Sequence, residues 1–443
     1  MQRILSSKLL AIAGISLLIL IALNLIESQI NARSNLQESV LRNIAESSAG
    51  QQLLVGPMLL LRYRTEVDEP HVDKEGQVST RRRVVDQEQL VAPSQLSIRG
   101  SGQVETRNRG IYRGQIYHLG LNITGEVSIP EWFFANAGRS VIAPKAYLIT
   151  SVSDLRGVDN LPQMEINGKK YKLQTGNAKL CAGRCTAGER MYVELGDAAA
   201  LADRKLSFSL PLNLTGTQNL AIAPVAENNN IELKSDWQHP SFGGRFLPRQ
   251  REVGKDGFVA SWQISHLSRN FDKAVQGDRE FLQVTLMDPV NVYLLAIRAV
   301  KYGILFVLLT FGGFFITETL RRSPIHPVQY LLVGMALSIF FMLLIALSEH
   351  MAFHLAYLIA ATACIGLISY YLAGALGGWR PGLGFGAGLT GLYGVLYGIL
   401  HSEDNALLTG TLLLFLALGA VMVGTRKFDW YQLGNDTQNR SAS

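Results

Sequence analysis

The sequence predicts a membrane protein: six apolar helices, one N-terminal and five C-terminal, and a large β-rich, sandwich-like domain outside the cytosol. Three observations predict it. Apolar segments crowd into the last third of the 443 residues and one more stands alone near the start. The stretch between them shows soluble, strand-like alternation. Lys and Arg fall on one side of every short connection between the apolar segments, the asymmetry that orients membrane proteins.

A bilayer-spanning helix needs about 20 apolar residues, because only there are all backbone polar groups satisfied within the segment. The first such run is Leu9 to Ile26, interrupted by Ser16 and Asn24 and followed by Glu27, Ser28 and Gln29. Its length, with no small-x-small cleavage site close behind, favours an uncleaved anchor over a signal peptide. Residues 27–50 continue it as an amphipathic helical stalk through Ile30, Leu41 and Ile44. The remaining spans are Val300–Thr319, Val328–Ser348, Phe353–Ala373, Leu383–Leu400 and Ala406–Gly424. Glu318 lies near the end of the second span, three and four residues before Arg321 and Arg322, the spacing of a helical ion pair.

Six spans put both termini on one face, together with Arg3, Lys8, Arg321, Arg322, Arg380, Arg426, Lys427 and Arg440. The opposite loops hold Glu349, His350, His401, Glu403 and Asp404 and no Lys or Arg. Both termini are therefore expected in the cytosol and the large domain outside it. The formal charge of +6 is then orientation charge. It is no footprint for nucleic acid.

The expected boundaries are an anchor over 1–26, a stalk over 27–50, a β-rich domain over 51–297, a five-helix bundle over 298–427 and a cytosolic tail over 428–443. Leu59–Tyr63, Leu96–Arg99, Ala146–Ile149 and Lys205–Leu210 read as strands of one or two sandwich-like units. Residues 68–89 read as a charged loop or hairpin, and residues 226–230, with three consecutive Asn, as a turn. Cys181 and Cys185 are expected to form a local disulfide, since thiols oxidise outside the cytosol. Cys364 reads as a small apolar side chain.

Two patterns bear on chemistry. Glu349, His350 and His354 follow the third span, and His401, Glu403 and Asp404 follow the fifth. On one membrane face they would suit zinc or a proton relay, against the blander reading of solvated helix ends. Gly384, Gly388, Gly391 and Gly398 form a stripe expected to pack against a neighbouring helix. Asp154 with Arg156 reads as an ion pair or turn, His326 as a turn residue, and residues 237–242 as a structured loop or partner surface. There is no phosphate-binding G-x-x-x-x-G-K-[ST], no H-E-x-x-H, and no charge at mid-span of the kind coupled pumps carry. No cofactor is called for.

The segment 325–334, I-H-P-V-Q-Y-L-L-V-G, running on to Ser348-Glu349-His350, resembles the CreD family of bacterial inner-membrane proteins, also called cell envelope integrity or colicin-tolerance proteins. So do Leu54-Val55-Gly56-Pro57, Arg109-Gly110-Ile111-Tyr112, Ser153-Asp154-Leu155-Arg156-Gly157, the run Asp236–Gly244, Ala356-Tyr357-Leu358 and Asp429-Trp430-Tyr431. The resemblance spans essentially the whole chain. It implies a Gram-negative inner-membrane protein with a periplasmic domain, expressed under envelope or β-lactam stress and acting on envelope integrity. It implies no reaction and no catalytic residues. The expected function is non-enzymatic: the β domain contacts a periplasmic, cell-wall or outer-membrane partner while the helices sit among inner-membrane lipids. Two other readings stay open at this point, a transporter or lipid-handling bundle and a metalloenzyme at the outer membrane face.

Overall fold

The computed structural model describes residues 2–72, 78–136, 141–176, 187–199, 201, 205–287, 291–321, 325–401 and 406–425. The chain divides into two compact units. One comprises residues 1–38 and 290–443, the other residues 39–289.

Helix α1 (Gln2–Ser47) contributes residues to both. Its 46 residues measure roughly 70 Å at ~1.5 Å per residue, more than twice the hydrocarbon thickness of a bilayer. The stalk expected after the first span is thus helical without a break. In the membrane-type unit follow α4 (Val292–Lys301), α5 (Gly303–Arg321), α6 (Pro327–Ser348), α7 (Phe353–Ala375), α8 (Trp379–His401) and α9 (Ala406–Thr425). Among the described residues four helices are long and apolar enough to cross a membrane: α1, α6, α7 and α8. The pair α4 and α5, bent by 41°, passes the same test together. The helix entering this pair starts earlier than Val300, because Asn291 caps it, accepting from the amides of Tyr293 and Leu294.

Aromatic rings fill the bundle. Phe340 makes edge contacts with Tyr357 and Tyr393 at centroid distances of 5.6 and 4.7 Å, and Phe306 meets Tyr393 at 5.1 Å. The buried Tyr357 and Tyr393 hydroxyls find partners, while those of Thr310 and Ser369 are buried without one among the described residues. Tyr357 donates to the Tyr393 carbonyl at 2.6 Å, and Tyr393 to the Cys364 sulfur at 3.2 Å. The predicted stripe of Gly384, Gly388, Gly391 and Gly398 does not make the close approach: all four are exposed, with open space where a Cβ would lie. The face of α8 that packs is the one carrying Gly382, Gly386, Leu389, Tyr393 and Leu396, whose spacing follows the helical repeat. There Gly382 and Gly386 lie against Ser369 and Ala373 of α7. On α6, Gly334 gives the same close approach to Ile19 of α1.

The second unit is a β-sandwich. In chain order its elements are β1 (Gln52–Val72), β2 (Val78–Val91), β3 (Gln95–Arg109), β4 (Tyr112–Ser128), α2 (Glu131–Asn136), β5 (Ile142–Val152), β6 (Gln163–Ile166), β7 (Lys169–Lys172), β8 (Gln174–Thr175) and β9 (Glu189–Asp197). Then come β10 (Lys205–Thr217), β11 (Asn219–Ala223), β12 (Asn228–Ser235), β13 (Pro240–Gly244), β14 (Gln250–Gly254), β15 (Gly257–Ser265), α3 (Phe271–Gln276) and β16 (Leu282–Leu286). One sheet runs β13-β16-β11-β1-β5-β9-β8 with β2 also on β1; the other runs β14-β15-β12-β3-β4-β10-β6-β7. Two pairings are parallel, β1 with β11 and β3 with β12.

Alternation sets the layers, since successive side chains point to opposite faces of a strand. Ile98, Ile123, Leu210 and Ile231 of one sheet and Leu60, Leu148 and Ile222 of the other are buried in a single shared cluster. The expected strands all lie in these sheets, and residues 68–72 and 78–89 pair antiparallel as the two arms of a hairpin, edged by exposed pairs such as Arg83 with Glu69. The three Asn depart from expectation: they open β12 instead of forming the whole turn. Asn229 is buried and makes the turn itself, accepting from the Ala226 amide and donating to the carbonyls of Ala226 and Ile264. Gly56 has φ +96°, and a Cβ there would stand 2.9 Å from the Ile149 carbonyl, so only glycine fits this bulged start of the β1–β5 pairing. Cys181 and Cys185 lie outside the described residues.

Trp262 lies in the sandwich core at 1% exposure, its indole donating to the Phe246 carbonyl. Trp262→Ala should destabilise this unit by about 3–5 kcal/mol. Circular dichroism melting would show this as a clearly lower β-unit transition, and an unchanged one would contradict this packing.

Candidate functional site

Three polar constellations stand out, each within one unit. The first contains Glu349, the C-terminal cap of α6. Its side chain is 9% exposed, accepts from the Tyr293 hydroxyl at 3.0 Å and lies 3.9 Å from Arg33 of α1. A carboxylate this buried would be costly without such partners. Among the described residues of the expected cluster, His350, His354 and His401 form no metal-type group with it. The helix breaks over residues 349–352, so His350 and His354 do not share the face their spacing of four offered, and both are exposed. His401 lies against the Tyr397 ring at 4.9 Å. Glu403 and Asp404 lie outside the described residues. Among the described residues, no three His, Cys, Asp or Glu side chains come together as a metal site. Toward the opposite end of the bundle, Glu318 accepts from the Tyr330 hydroxyl at 3.0 Å and from the Ile325 amide at 3.1 Å, and His326 caps α6.

The second constellation joins the end of α1 to the sandwich. Asp154 caps the short 3-10 turn Leu155–Gly157, accepting from the Arg156 amide at 3.0 Å and from the Arg156 guanidinium at 2.6 Å. It also accepts from the Gly50 amide at 3.2 Å. Arg156 in turn donates at 2.6 Å to the carbonyl of Glu46, in the last turn of α1. That carbonyl is one of the four a helix leaves without an internal partner, and a cation there also suits the helix dipole. Gln52, 2% exposed, donates to the carbonyls of Asp154 and Thr215 and accepts from the Asp154 amide. Gly157 must stay small: a Cβ would collide with the Thr215 carbonyl and the Gln52 side chain. The expected Asp154–Arg156 pair is real, and its work is structural. The hydrogen bond from Arg156 holds the Asp154 carboxyl below its usual value, helped by the Gly50 and Arg156 amides and opposed by burial.

The third is a cleft of about 810 Å³ on the outward face of the second sheet. Its lining mixes polar and apolar surface in nearly equal parts, the amides and hydroxyls being those of Gln95, Ser97, Thr124, Asn228, Asn230 and Gln263 from β3, β4, β12 and β15. Of the rim charges, Glu126 pairs with Lys205 at 2.5 Å, while Arg249 donates to the neutral Gln263 amide at 2.6 Å and keeps its charge. Sequence reasoning did not single out this row. Its trace was there in the every-second-residue polar pattern Gln95, Ser97, Arg99 and Asn228, Asn230, Glu232.

An N-terminal apolar helix, further apolar helices after a 251-residue β-sandwich unit, and polar clusters that stitch helix ends define a membrane protein with a large β-rich domain. The chain matches the family described as Inner membrane protein CreD over residues 4–431. It is 35% identical to the Inner membrane protein CreD of Escherichia coli (strain K12) over 431 residues, covering 96% of this chain and 93% of that protein. The chain belongs to the CreD family of inner membrane proteins. Among solved structures, a similar chain is an M1 zinc metallopeptidase of Deinococcus radiodurans bound to a peptide substrate, 9% identical and covering 44% of this chain and 42% of that chain. Its TM-score of 0.22 carries no argument about this protein.

Two outcomes follow from the clamp on α1. Gly157→Ala should displace Gln52 and expose the segment around Gly50 to limited proteolysis, whereas wild-type cleavage kinetics would contradict the clamp. Because the folded-state value of Asp154 is depressed, its contribution is complete above the unfolded value and is lost as pH falls through the folded one. The stability difference between wild type and Asp154→Asn should therefore shrink below about pH 4 in melting experiments.

Proposed function

We propose that this inner membrane protein maintains the integrity of the cell envelope under envelope or β-lactam stress, without catalysing a reaction, through a periplasmic β-sandwich that binds an envelope partner. The observation that carries this reading is the 810 Å³ cleft on the sandwich face, lined by side chains that offer hydrogen bonds to solvent. In this reading six helices cross the inner membrane and both termini are cytosolic. The Lys and Arg distribution supports that orientation, and α9 supplies the sixth crossing. The helical unit anchors the sandwich, consistent with the aromatic side chains that fill it.

The test is complementation of cells that lack the chain. After β-lactam challenge, leakage of a periplasmic enzyme should return to wild-type levels with the intact chain. It should remain high with a chain carrying Ser97→Arg and Asn230→Arg, two partly or fully exposed positions that would fill the cleft without touching the core. Full restoration by the blocked chain, at equal membrane abundance, would overturn the proposal.

A further inference from the structure

The cleft has a neighbour of opposite character. Ser268 lines both the cleft and a second pocket of about 190 Å³ formed with Arg245, Arg269, Asn270, Lys273 and Glu280. Three cations line it with the Glu280 carboxylate, and Glu227 lies close enough to act on Arg269 as well. Glu280 is 1% exposed and holds Arg245 at 2.6 Å. Arg269 is fixed from behind: its Nε donates to the Ala226 carbonyl at 3.0 Å, one Nη to the Val225 carbonyl at 2.8 Å, and its guanidinium lies 5.0 Å from the Phe271 ring centre. Lys273 is exposed beside them. A guanidinium held in place this way suits a carboxylate, because little side-chain freedom is lost on binding.

The cleft itself calls for a different chemistry. Across adjacent strands the register aligns Gln263, Asn230, Ser97 and Thr124 in one outward row. Strands lie about 4.8 Å apart, so the row is a ladder of groups that both donate and accept hydrogen bonds. An apolar partner would leave these groups unpaired, at a cost for each. A highly charged partner would find little opposite charge in the cleft. A neutral ligand dense in hydroxyls and amides satisfies them.

We propose that cleft and pocket together form one binding site for an acidic glycan, with hydroxyl- and acetamido-bearing sugars across the β-strand row and a carboxylate substituent at Arg269 and Lys273. This rests on the reading that the sandwich binds an envelope partner, and it names the chemistry of that partner. The source that fits is the glycan strand of the cell wall, whose sugars carry acetamido groups and whose peptide stems carry carboxylates.

The experiment measures binding to the full-length protein in nanodiscs by titration calorimetry. The probes are solubilised peptidoglycan strands with their stems, chitohexaose as a neutral acetamido glycan, and the free stem peptide. The strands should bind, chitohexaose and stem peptide each about tenfold or more weakly, and Asn230→Ala and Lys273→Glu should each weaken strand binding about tenfold. Both variants alter exposed side chains, and unchanged melting would confirm their fold. The proposal is overturned if the strands do not bind, or if either variant binds them as wild type does. It is overturned equally if chitohexaose or the stem peptide binds as tightly as the strand. Failure here with a blocked cleft that still abolishes complementation would leave an envelope partner of another chemistry. Full complementation by the blocked chain would instead remove the broader reading.

Discussion

Hydrocarbon offers backbone amides and carbonyls no partner, and this constraint orders the chain. It demands continuous helices wherever the chain crosses, and it lets other structure form only outside. The consequence is a sandwich whose sequence falls between α1 and the remaining helices, with every described pairing of its strands made within residues 52–286. Several polar side chains within the helical unit are paired in the same spirit, although among the described residues the Thr310 and Ser369 hydroxyls are not. The Tyr357 and Tyr393 hydroxyls, Glu318 and Glu349 all meet a named partner.

A helix that leaves the membrane must also end somewhere, and the end of α1 is met by Arg156 and Asp154. One guanidinium spans the carbonyl of Glu46 and the Asp154 carboxylate, and that carboxylate in turn holds the Gly50 amide. Gln52 and Gly157 fit beneath this arrangement, so a short segment of sequence fixes where the helix stops and where β1 begins. Arg33, nearer the start of the same helix, lies by Glu349 within the other unit. Each compact unit thus has its own polar contact on α1.

Much of this was legible in the chain. Apolar length marked α6, α7 and α8, alternation marked the strands around Leu96 and Lys205, and short apolar runs marked those around Leu59 and Ala146, because all these signals are local. Asp154 and Arg156 were legible as a pair because they are two residues apart. Their partners Glu46 and Gln52 were not, since they lie over 100 residues away. The same limit hid the cleft, whose row is assembled by register between distant strands, and the Arg245–Glu280 pair. Glycine-rich α8 misled in another way. Composition shows that small residues are present, but only burial shows that Gly382 and Gly386 face α7 while Gly384, Gly388, Gly391 and Gly398 face outward.

The central claim is that the end of α1 is clamped to the sandwich, and amide hydrogen exchange at Gly50 and Thr217 tests it most directly. The Gly50 amide donates to Asp154, and the Thr217 amide to the Gly50 carbonyl. The account predicts exchange at both as slow as at core strand amides such as Ile98. Exchange at the rate of an exposed loop would show that the helix end is loose and would contradict it.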